Sequence, residues 1–173
     1  AGAGKKTLWI IARQHPGESM AEWFVEGMIE RLLDRADPVS RRLLDAAVVH
    51  LVPNMNPDGS VRGNLRTNAA GANLNREWLE PSAEKSPEVQ LVRNKMLETG
   101  VDLFLDIHGD ESLPYVFVAG TEGVPSYTDT IRQLEEKFKH YLMVANPDFQ
   151  DEVGYEKDAP GSANLSLATN WVG

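Results

Sequence analysis

The sequence predicts an α/β fold in which helices cover both faces of a mostly parallel, mixed β-sheet. Two observations carry this prediction. Short, continuous apolar segments, such as residues 7–12 and 101–107, are typical of strands that are buried on both faces of a sheet. Between such segments, apolar residues recur at helical spacing, and this alternation of strand and helix is typical of parallel α/β sheets.

The first part of the chain is predicted to run strand, helix, helix, strand. After the strand at residues 7–12, apolar positions three and four apart indicate a helix to about residue 34, and Ser19 is expected to cap its first turn. Asp37 followed by a proline is typical of a helix start, so a short helix is predicted over residues 38–44. A second strand is predicted over residues 47–52.

The later part of the chain begins with a long segment, residues 53–81, which is rich in Asn and Gly and shows no sustained period. A segment of this length without regular structure is usually functional or disordered. A helix is then predicted over residues 86–99, followed by the strand at 101–107. A further strand is predicted over residues 114–119 and a helix over 127–142. The pattern fades towards the end of the chain.

The composition excludes several classes of protein. The 173 residues include 26 acidic and 17 basic side chains, and the net charge of −9 argues against a nucleic-acid partner. With 42% hydrophobic and 25% charged residues, the chain is typical of one globular domain. We expect no membrane partner, because no apolar run approaches ~20 residues, and the N-terminal residues lack the apolar stretch of a signal peptide. The sequence has no Cys, so a metal would need His, Asp or Glu ligands.

Residues that could bind a metal follow the first and third predicted strands. His15 and Glu18 are three apart in a turn that leads into a helix, and His108 follows the later strand. Parallel strands end at one edge of a sheet, so this set could form a site of two imidazoles and one carboxylate, as in catalytic zinc sites. A His-x-x-Glu pair also arises by chance, and an isolated His is more often a hydrogen-bonded residue than a ligand. His50 and His140 have no acidic partner at ligand spacing and are expected to be structural.

The long segment also carries two arginines. Arg66 and Arg76 could form an anion site, because a guanidinium is a planar, permanently charged partner for a carboxylate. The alternative is that both side chains are solvated or paired with acidic residues. The Asn-Pro-Asp-Gly sequence at residues 56–59 likewise has an alternative interpretation as turn chemistry, in which Asn and Asp bond their own backbone and Gly supplies a positive φ.

Five short motifs occur in a defined order along the chain. They are His-Pro-Gly-Glu at 15–18, Asn-Pro-Asp-Gly at 56–59, Gly-Asn-Leu-Arg at 63–66, Asn-Arg-Glu-Trp at 75–78 and Asp-Ile-His-Gly at 106–109. In this order they resemble the zinc metallocarboxypeptidases of the carboxypeptidase A superfamily, and most closely the cytosolic carboxypeptidase branch and its bacterial relatives. The resemblance covers only the earlier part of the family's catalytic domain. Residues 1–173 are therefore expected to form a single partial metallocarboxypeptidase catalytic domain.

The resemblance implies that His15, Glu18 and His108 bind a catalytic Zn²⁺. Two residues before the Asn-Arg pair, many relatives have an Asp that accepts a hydrogen bond from a zinc-bound imidazole. Here that position is Asn73. Its amide oxygen can still accept the bond and set the imidazole tautomer, but without a charge it makes the ligand less basic. A somewhat lower zinc affinity is therefore expected.

The resemblance also implies roles in catalysis and in substrate binding. Arg66 matches the arginine that polarises the scissile carbonyl and stabilises the oxyanion, and fixed positive charge at that position is usually a large catalytic contribution. Asn75 and Arg76 match the pair that binds the terminal carboxylate of the substrate. The general-base Glu of the family matches no segment of this sequence and is expected downstream of Gly173.

The sequence thus predicts a cytoplasmic, zinc-dependent carboxypeptidase that hydrolyses the C-terminal peptide bond of peptides or protein tails. One alternative is a zinc amidohydrolase that deacylates small N-acyl amino acids with the same ligand set. The Asn75 and Arg76 pair and the Asn-Pro-Asp-Gly loop resemble the peptidase more closely. A second alternative is a catalytically silent, zinc-bearing module that binds peptide C-termini, which only the missing base favours.

Overall fold

The computed structural model describes residues 4–173, which fall into two compact units. The first unit consists of residues up to 109 together with Ser166–Val172, and the second consists of Asp110–Leu165 with Gly173. The strands and helices of the described residues are, in chain order, β1 (Lys6–Ala12), α1 (Ser19–Leu33), α2 (Pro38–Ala46), β2 (Ala47–Val52), α3 (Pro57–Arg62), a 3-10 turn (Leu74–Arg76), α4 (Pro87–Thr99), β3 (Leu103–Ile107), α5 (Asp129–Ala145) and α6 (Ala168–Val172). Within residues 4–173, every helix is too short or too polar to cross a lipid bilayer.

The first unit is built on a three-stranded parallel sheet with the order β2-β1-β3. The central strand β1 pairs on both sides, so that Leu8 lies opposite Val49 of β2 and Leu103 of β3. Because the three strands run in one direction, the loops that follow β1 and β3 leave the sheet at the same edge. The predicted parallel α/β sheet is confirmed.

Helices pack on both faces of the sheet because side chains of β1 alternate between two apolar clusters. Ala12 belongs to the smaller cluster, in which α1 contributes Ala21 and Val25. Trp9 and Ile11 belong to the larger cluster, to which α4 and α6 contribute. The other buried members of that cluster are Met55, Leu74, Trp78, Val89, Met96 and Ala168. Burial of one large apolar side chain contributes about 1.5–3 kcal/mol, so these clusters hold the sheet edge in place.

The second unit is organised around α5 by side-chain hydrogen bonds. The Thr128 hydroxyl caps α5 by accepting the Ile131 N–H at 3.3 Å. The Glu135 carboxylate accepts hydrogen bonds from the hydroxyls of Tyr127, at 2.8 Å, and Thr121, at 3.0 Å. The buried apolar residues of this unit are Val124 and Phe149.

The strand predicted at residues 114–119 is wrong. Within the part of the chain that the structure describes, this segment makes only an isolated parallel bridge, between Val116 and Phe149. Val116 remains half exposed. Its apolar composition favours an extended backbone, but a strand also needs a neighbouring ladder to pair with, and the sequence alone does not reveal whether one is present.

Two short helices lie where no helix is predicted. In α3, the Asn56 side chain caps the first turn, Pro57 occupies the first helical position, and Gly63 ends the helix with a left-handed φ of 71°. The Asn-Pro-Asp-Gly sequence is therefore a helix start rather than an isolated turn, and six residues are too few to show a helical period. The helix α6 lies in the region where the sequence pattern fades.

Candidate metal centre

The candidate site lies where β1 and β3 end. After Ala12, the chain passes through Arg13, whose φ of 56° is in the left-handed region, and then reaches the buried His15. Arg13 is held in this conformation by a 2.9 Å hydrogen bond from its Nε to the Pro16 carbonyl. His108 follows β3 directly, so both imidazoles stand at the same edge of the sheet.

Glu18 connects the two imidazoles. Its Oε1 lies 2.7 Å from Nδ1 of His15, and its Oε2 lies 2.8 Å from Nδ1 of His108. Glu18 occupies the cap position of α1 but makes no capping hydrogen bond, because its carboxylate faces the imidazoles. The expected capping role of Ser19 is therefore wrong: Ser19 is already the first residue of the helix.

The three side chains fit the donor set of a zinc ion. One ligand atom from each of His15, Glu18 and His108 lies within 4.8 Å of the others, and two of the three residues are buried. Two imidazole nitrogens and one carboxylate oxygen, without Cys, form a common catalytic zinc ligand set. Both imidazoles present Nδ1 to the shared carboxylate, so one centre can be reached by all three groups.

The outer nitrogen of each imidazole also has an oxygen partner. Nε2 of His15 lies 3.0 Å from Oδ1 of Asn73, and Nε2 of His108 lies 2.8 Å from Oδ2 of Asp106. An acceptor at Nε2 keeps the proton there and leaves Nδ1 free to bind a metal. The two histidines thus share one arrangement, although one acceptor is an amide and the other a carboxylate.

Burial and charge shift the pKa values of Glu18 and His108 in opposite directions. Burial raises the pKa of Glu18, but hydrogen bonds from His108 and His15 and the charge of His108 outweigh it, and the pKa falls to about 2. Burial lowers the pKa of His108, but the charges and hydrogen bonds of Asp106 and Glu18 raise it to about 10. Zinc requires a neutral imidazole, so metal binding must displace a proton from His108.

Arg66 reaches the same cluster from the long loop. Its Nη1 lies 3.8 Å from Oε1 of Glu18. The loop is fixed to the ligand turn by a 2.9 Å hydrogen bond from the Gly17 N–H to the Leu65 carbonyl. A Cβ at Gly17 would lie only 2.9 Å from both the carbonyl oxygen and Cδ1 of Leu65, so only glycine permits this approach.

The 3-10 turn places Asn75 beside the cluster. Nδ2 of Asn75 lies 3.4 Å from Nε2 of His108, and its Oδ1 accepts the Ala168 N–H at 2.9 Å. Arg76 is exposed, and its Nη1 donates to the Asn75 carbonyl at 2.7 Å. The structure therefore gathers the candidate ligands with Arg66 and Asn75, while the Arg76 guanidinium contacts the backbone next to them.

The sequence motifs predict no role for Gln14 or Asp106, although Asp106 contacts His108 and Gln14 contacts Asp106. Oδ2 of Asp106 accepts hydrogen bonds from Nε2 of Gln14 and faces Nε2 of His108. The sequence does contain one signal for them: each is a polar residue at or just after the end of an apolar strand. Spacing alone does not show that two such residues, 92 apart, meet across neighbouring strands.

Known proteins resemble this chain along most of its length. A profile described as zinc carboxypeptidase matches residues 1–165. An uncharacterized protein of Zymomonas mobilis is 58% identical over 169 residues, which are 98% of this chain and 44% of that protein. Human cytosolic carboxypeptidase 4 is 37% identical over 116 residues, which are 64% of this chain and 10% of that protein. A metallo-carboxypeptidase from Pseudomonas aeruginosa, solved in complex with (2-guanidinoethylmercapto)succinic acid, has a TM-score of 0.96 and 58% identity, covering 99% of this chain and 46% of that one.

The chain thus spans less than half the length of the bacterial relatives and about a tenth of the human protein. The resemblance inferred from the five motifs is confirmed by these matches, as is the metallocarboxypeptidase-like fold. Because the family profile extends from residue 1 to residue 165, the chain belongs to the zinc carboxypeptidase family.

Proposed function

We propose that this chain contributes the metal centre of an enzyme that removes the C-terminal residue from peptides or protein tails. The observation that carries the proposal is the convergence of His15, Glu18 and His108, with the Arg66 guanidinium 3.8 Å from the Glu18 carboxylate. We assign the three convergent residues as ligands of a zinc ion. When bound, zinc supplies Lewis acidity that polarises a carbonyl and activates water.

In this proposal, Arg66 acts on the reacting carbonyl. The Gly17 and Leu65 contact holds the loop that carries Arg66 beside the metal ligands, and the guanidinium, 3.8 Å from the Glu18 carboxylate, offers permanent positive charge where the oxyanion develops. Asn73 and Asp106 hold the imidazoles of the ligands with Nδ1 facing inward. Asn73 and Asp106 are in place before substrate arrives, which reduces reorganisation of the imidazoles during the reaction.

Asn75 and Arg76 are proposed to bind the terminal carboxylate of the substrate. Asn75 lies next to His108, and Arg76 has an exposed guanidinium adjoining it. The Pseudomonas aeruginosa relative was solved with a ligand that is named as a succinic acid and therefore carries carboxyl groups. This ligand supports the idea that sites of this kind accept carboxylates.

The general base is proposed to lie outside the 173 residues. The two carboxylates at the centre, Glu18 and Asp106, each contact imidazole nitrogens. We therefore assign them to holding the imidazoles and not to the role of general base. The coverage of 44–46% of the bacterial relatives supports our proposal that residues 1–173 are part of a single catalytic domain. The names of the cytosolic relatives support a cytoplasmic location.

A comparison of three substrates tests the proposed function in the intact protein. We expect zinc-dependent release of the last residue from a peptide with a free C-terminus. Release from the same peptide with an amidated C-terminus should be about 10–100-fold slower, because hydrogen bonds to a charged group contribute about 1.5–3 kcal/mol. Preferred hydrolysis of an N-acyl amino acid would support the amidohydrolase instead, and binding of the free-acid peptide without release would support a silent binder.

A further inference from the structure

A buried amide connects the apolar core to the metal centre. Gln14 and Trp78 are both fully buried. The indole Nε1–H of Trp78 donates to Oε1 of Gln14 at 2.8 Å, and Nε2 of Gln14 donates to Oδ2 of Asp106 at 2.6 Å. The same Oδ2 lies 2.8 Å from Nε2 of His108. Four side chains thus form a continuous path of hydrogen bonds from the core to a candidate ligand.

The donor and acceptor chemistry fixes the direction of this path. An indole N–H can only donate, so the oxygen of the Gln14 amide must face Trp78, and the NH₂ group must face Asp106. The backbone of Gln14 is fixed as well, because its carbonyl accepts a 3.0 Å hydrogen bond from Nδ2 of the buried Asn56. The amide of Gln14 therefore has one orientation, in which it donates to the carboxylate.

The two oxygens of Asp106 have unequal surroundings. Oδ2 faces both Gln14 and His108, whereas Oδ1 is buried and has no hydrogen-bond partner among the described residues. A buried, unpartnered carboxylate oxygen is costly, and such a group in a folded protein calls for a functional explanation. The hydrogen bonds with Gln14 and with His108 are therefore both made by Oδ2 of Asp106.

We propose that Gln14, oriented by Trp78, is a positioning residue that holds Oδ2 of Asp106 against Nε2 of His108 and so keeps Nδ1 of His108 available for the metal. The inference rests on the proposed metal centre and adds to it a support that begins in the apolar core. The acceptor at His15, Asn73, caps the 3-10 turn, because its Oδ1 also accepts the Asn75 N–H. The two imidazoles are thus supported from different parts of the fold.

A pair of matched tryptophan variants tests this role. Trp78→Phe removes the indole donor and keeps an aromatic ring. Trp9→Phe is the control, because Trp9 is also buried and its Nε1 donates to a side chain, Thr99, at 3.1 Å, away from the site. We expect Trp78→Phe to weaken zinc affinity of the intact protein about tenfold, the lower end of the cost of losing an outer-shell partner. Trp9→Phe should leave the affinity unchanged.

A second variant and a spectroscopic signal distinguish positioning from a merely structural role. Gln14→Met should weaken zinc binding at least as much as Trp78→Phe, and the double variant should be no weaker than Gln14→Met alone, because both act through one path. In ¹⁵N-histidine spectra of the zinc-loaded protein, the Nε2 proton of His108 should be slow to exchange in the wild type and in Trp9→Phe. It should exchange rapidly in Trp78→Phe and Gln14→Met.

Equal zinc affinity and an equally protected Nε2 proton in Trp78→Phe and Trp9→Phe would overturn the positioning role, even if Gln14→Met does not fold. Wild-type protein that binds zinc normally would then leave the proposed metal centre intact. If zinc binding to the wild type is no better than to His108→Ala, the proposed centre itself is wrong, and the role of Gln14 is overturned with it.

Discussion

The two units of the chain place their polar groups in different surroundings. In the first unit, Glu18 and Gln14 are buried at the edge of a sheet with a large apolar cluster beneath it. In the second unit, α5 has no buried residue, and charged pairs such as Arg132 with Glu136 lie at the surface. Exposed pairs of this kind typically contribute about 0–1 kcal/mol.

This difference shows what an apolar core makes possible. Buried polar groups are costly unless they are paired, so a carboxylate like Glu18 requires imidazole partners held at fixed positions. The strands and packed helices of the first unit supply those positions. The second unit, with only Val124 and Phe149 buried among its described apolar residues, has no comparable base for a cluster of buried charges.

The largest expected effect is on stability. Ile11→Ala removes a fully buried side chain of the larger cluster and should lower the free energy of unfolding by about 2–5 kcal/mol. Leu134→Ala, on α5, removes a side chain that is 62% exposed and should change the free energy of unfolding by no more than about 0.5 kcal/mol. Urea unfolding of the two variants measures the contrast. Similar losses would show that the two units do not differ as described.

The next effect concerns catalysis by the intact protein. Arg66→Ala should lower kcat by about 10²–10³-fold, as the loss of an oxyanion donor does, whereas Arg76→Ala should mainly raise KM. Arg132→Ala is the control, because among residues 4–173 this arginine of the second unit forms ion pairs only with residues of its own helix. Steady-state kinetics on a free-acid peptide provide the measurement. An Arg66→Ala enzyme with normal kcat would remove Arg66 from the reaction.

The elements that the sequence predicts well are those with a long pattern of their own. β1, β2, β3, α1, α4 and α5 each show an apolar run or a helical stripe, and all are present. The helices that the sequence does not predict are α3, with six residues, and α6, with five, and both are shorter than two helical turns. Their start signals, such as Asn56 before a proline, are local, but the same residues also form turns.

The candidate site shows the same distinction. His15, Glu18 and His108 are predictable as a cluster because they follow predicted strands, and parallel strands bring their ends together. Gln14, just after β1, and Asp106, near the end of β3, lie at the same edge but contribute through a contact between their own side chains. Such contacts depend on register, and β1 and β3 pair in a register that the sequence does not specify.

The pH dependence of the zinc-free protein should reveal the charges of the first unit. The pKa of Glu18 falls from 4.5 to about 2 on folding, so its stabilisation is present above pH 4.5 and lost as the pH falls towards 2. The pKa of His108 rises from 6.5 to about 10, so its stabilisation is present below pH 6.5 and lost as the pH rises towards 10. The midpoint temperature of thermal unfolding should therefore decline at both the acidic and the alkaline end of this range.

The control for this prediction is His108→Ala. The variant lacks the imidazolium, so the part of the alkaline decline that comes from His108 should disappear. An unchanged alkaline decline in the variant would show that His108 is not the group responsible.

The smallest expected effect belongs to the second unit. Tyr127→Phe removes the hydroxyl that donates to Glu135 and should lower the free energy of unfolding by about 0.5–1.5 kcal/mol. Zinc content should not change, because the hydroxyl binds Glu135 and Tyr127 is not one of the proposed ligands. Chemical unfolding and metal analysis of one preparation test both statements. Loss of zinc from Tyr127→Phe would contradict the separation of roles between the units.

We propose that zinc is held by His15, Glu18 and His108. Metal analysis of the intact protein, His108→Ala and His140→Ala tests it most directly, because His140 is an exposed histidine of α5 and controls for the loss of an imidazole. We predict one zinc per chain in the wild type and in His140→Ala, and little or none in His108→Ala after the same dialysis. Equal zinc content in all three proteins would contradict the site.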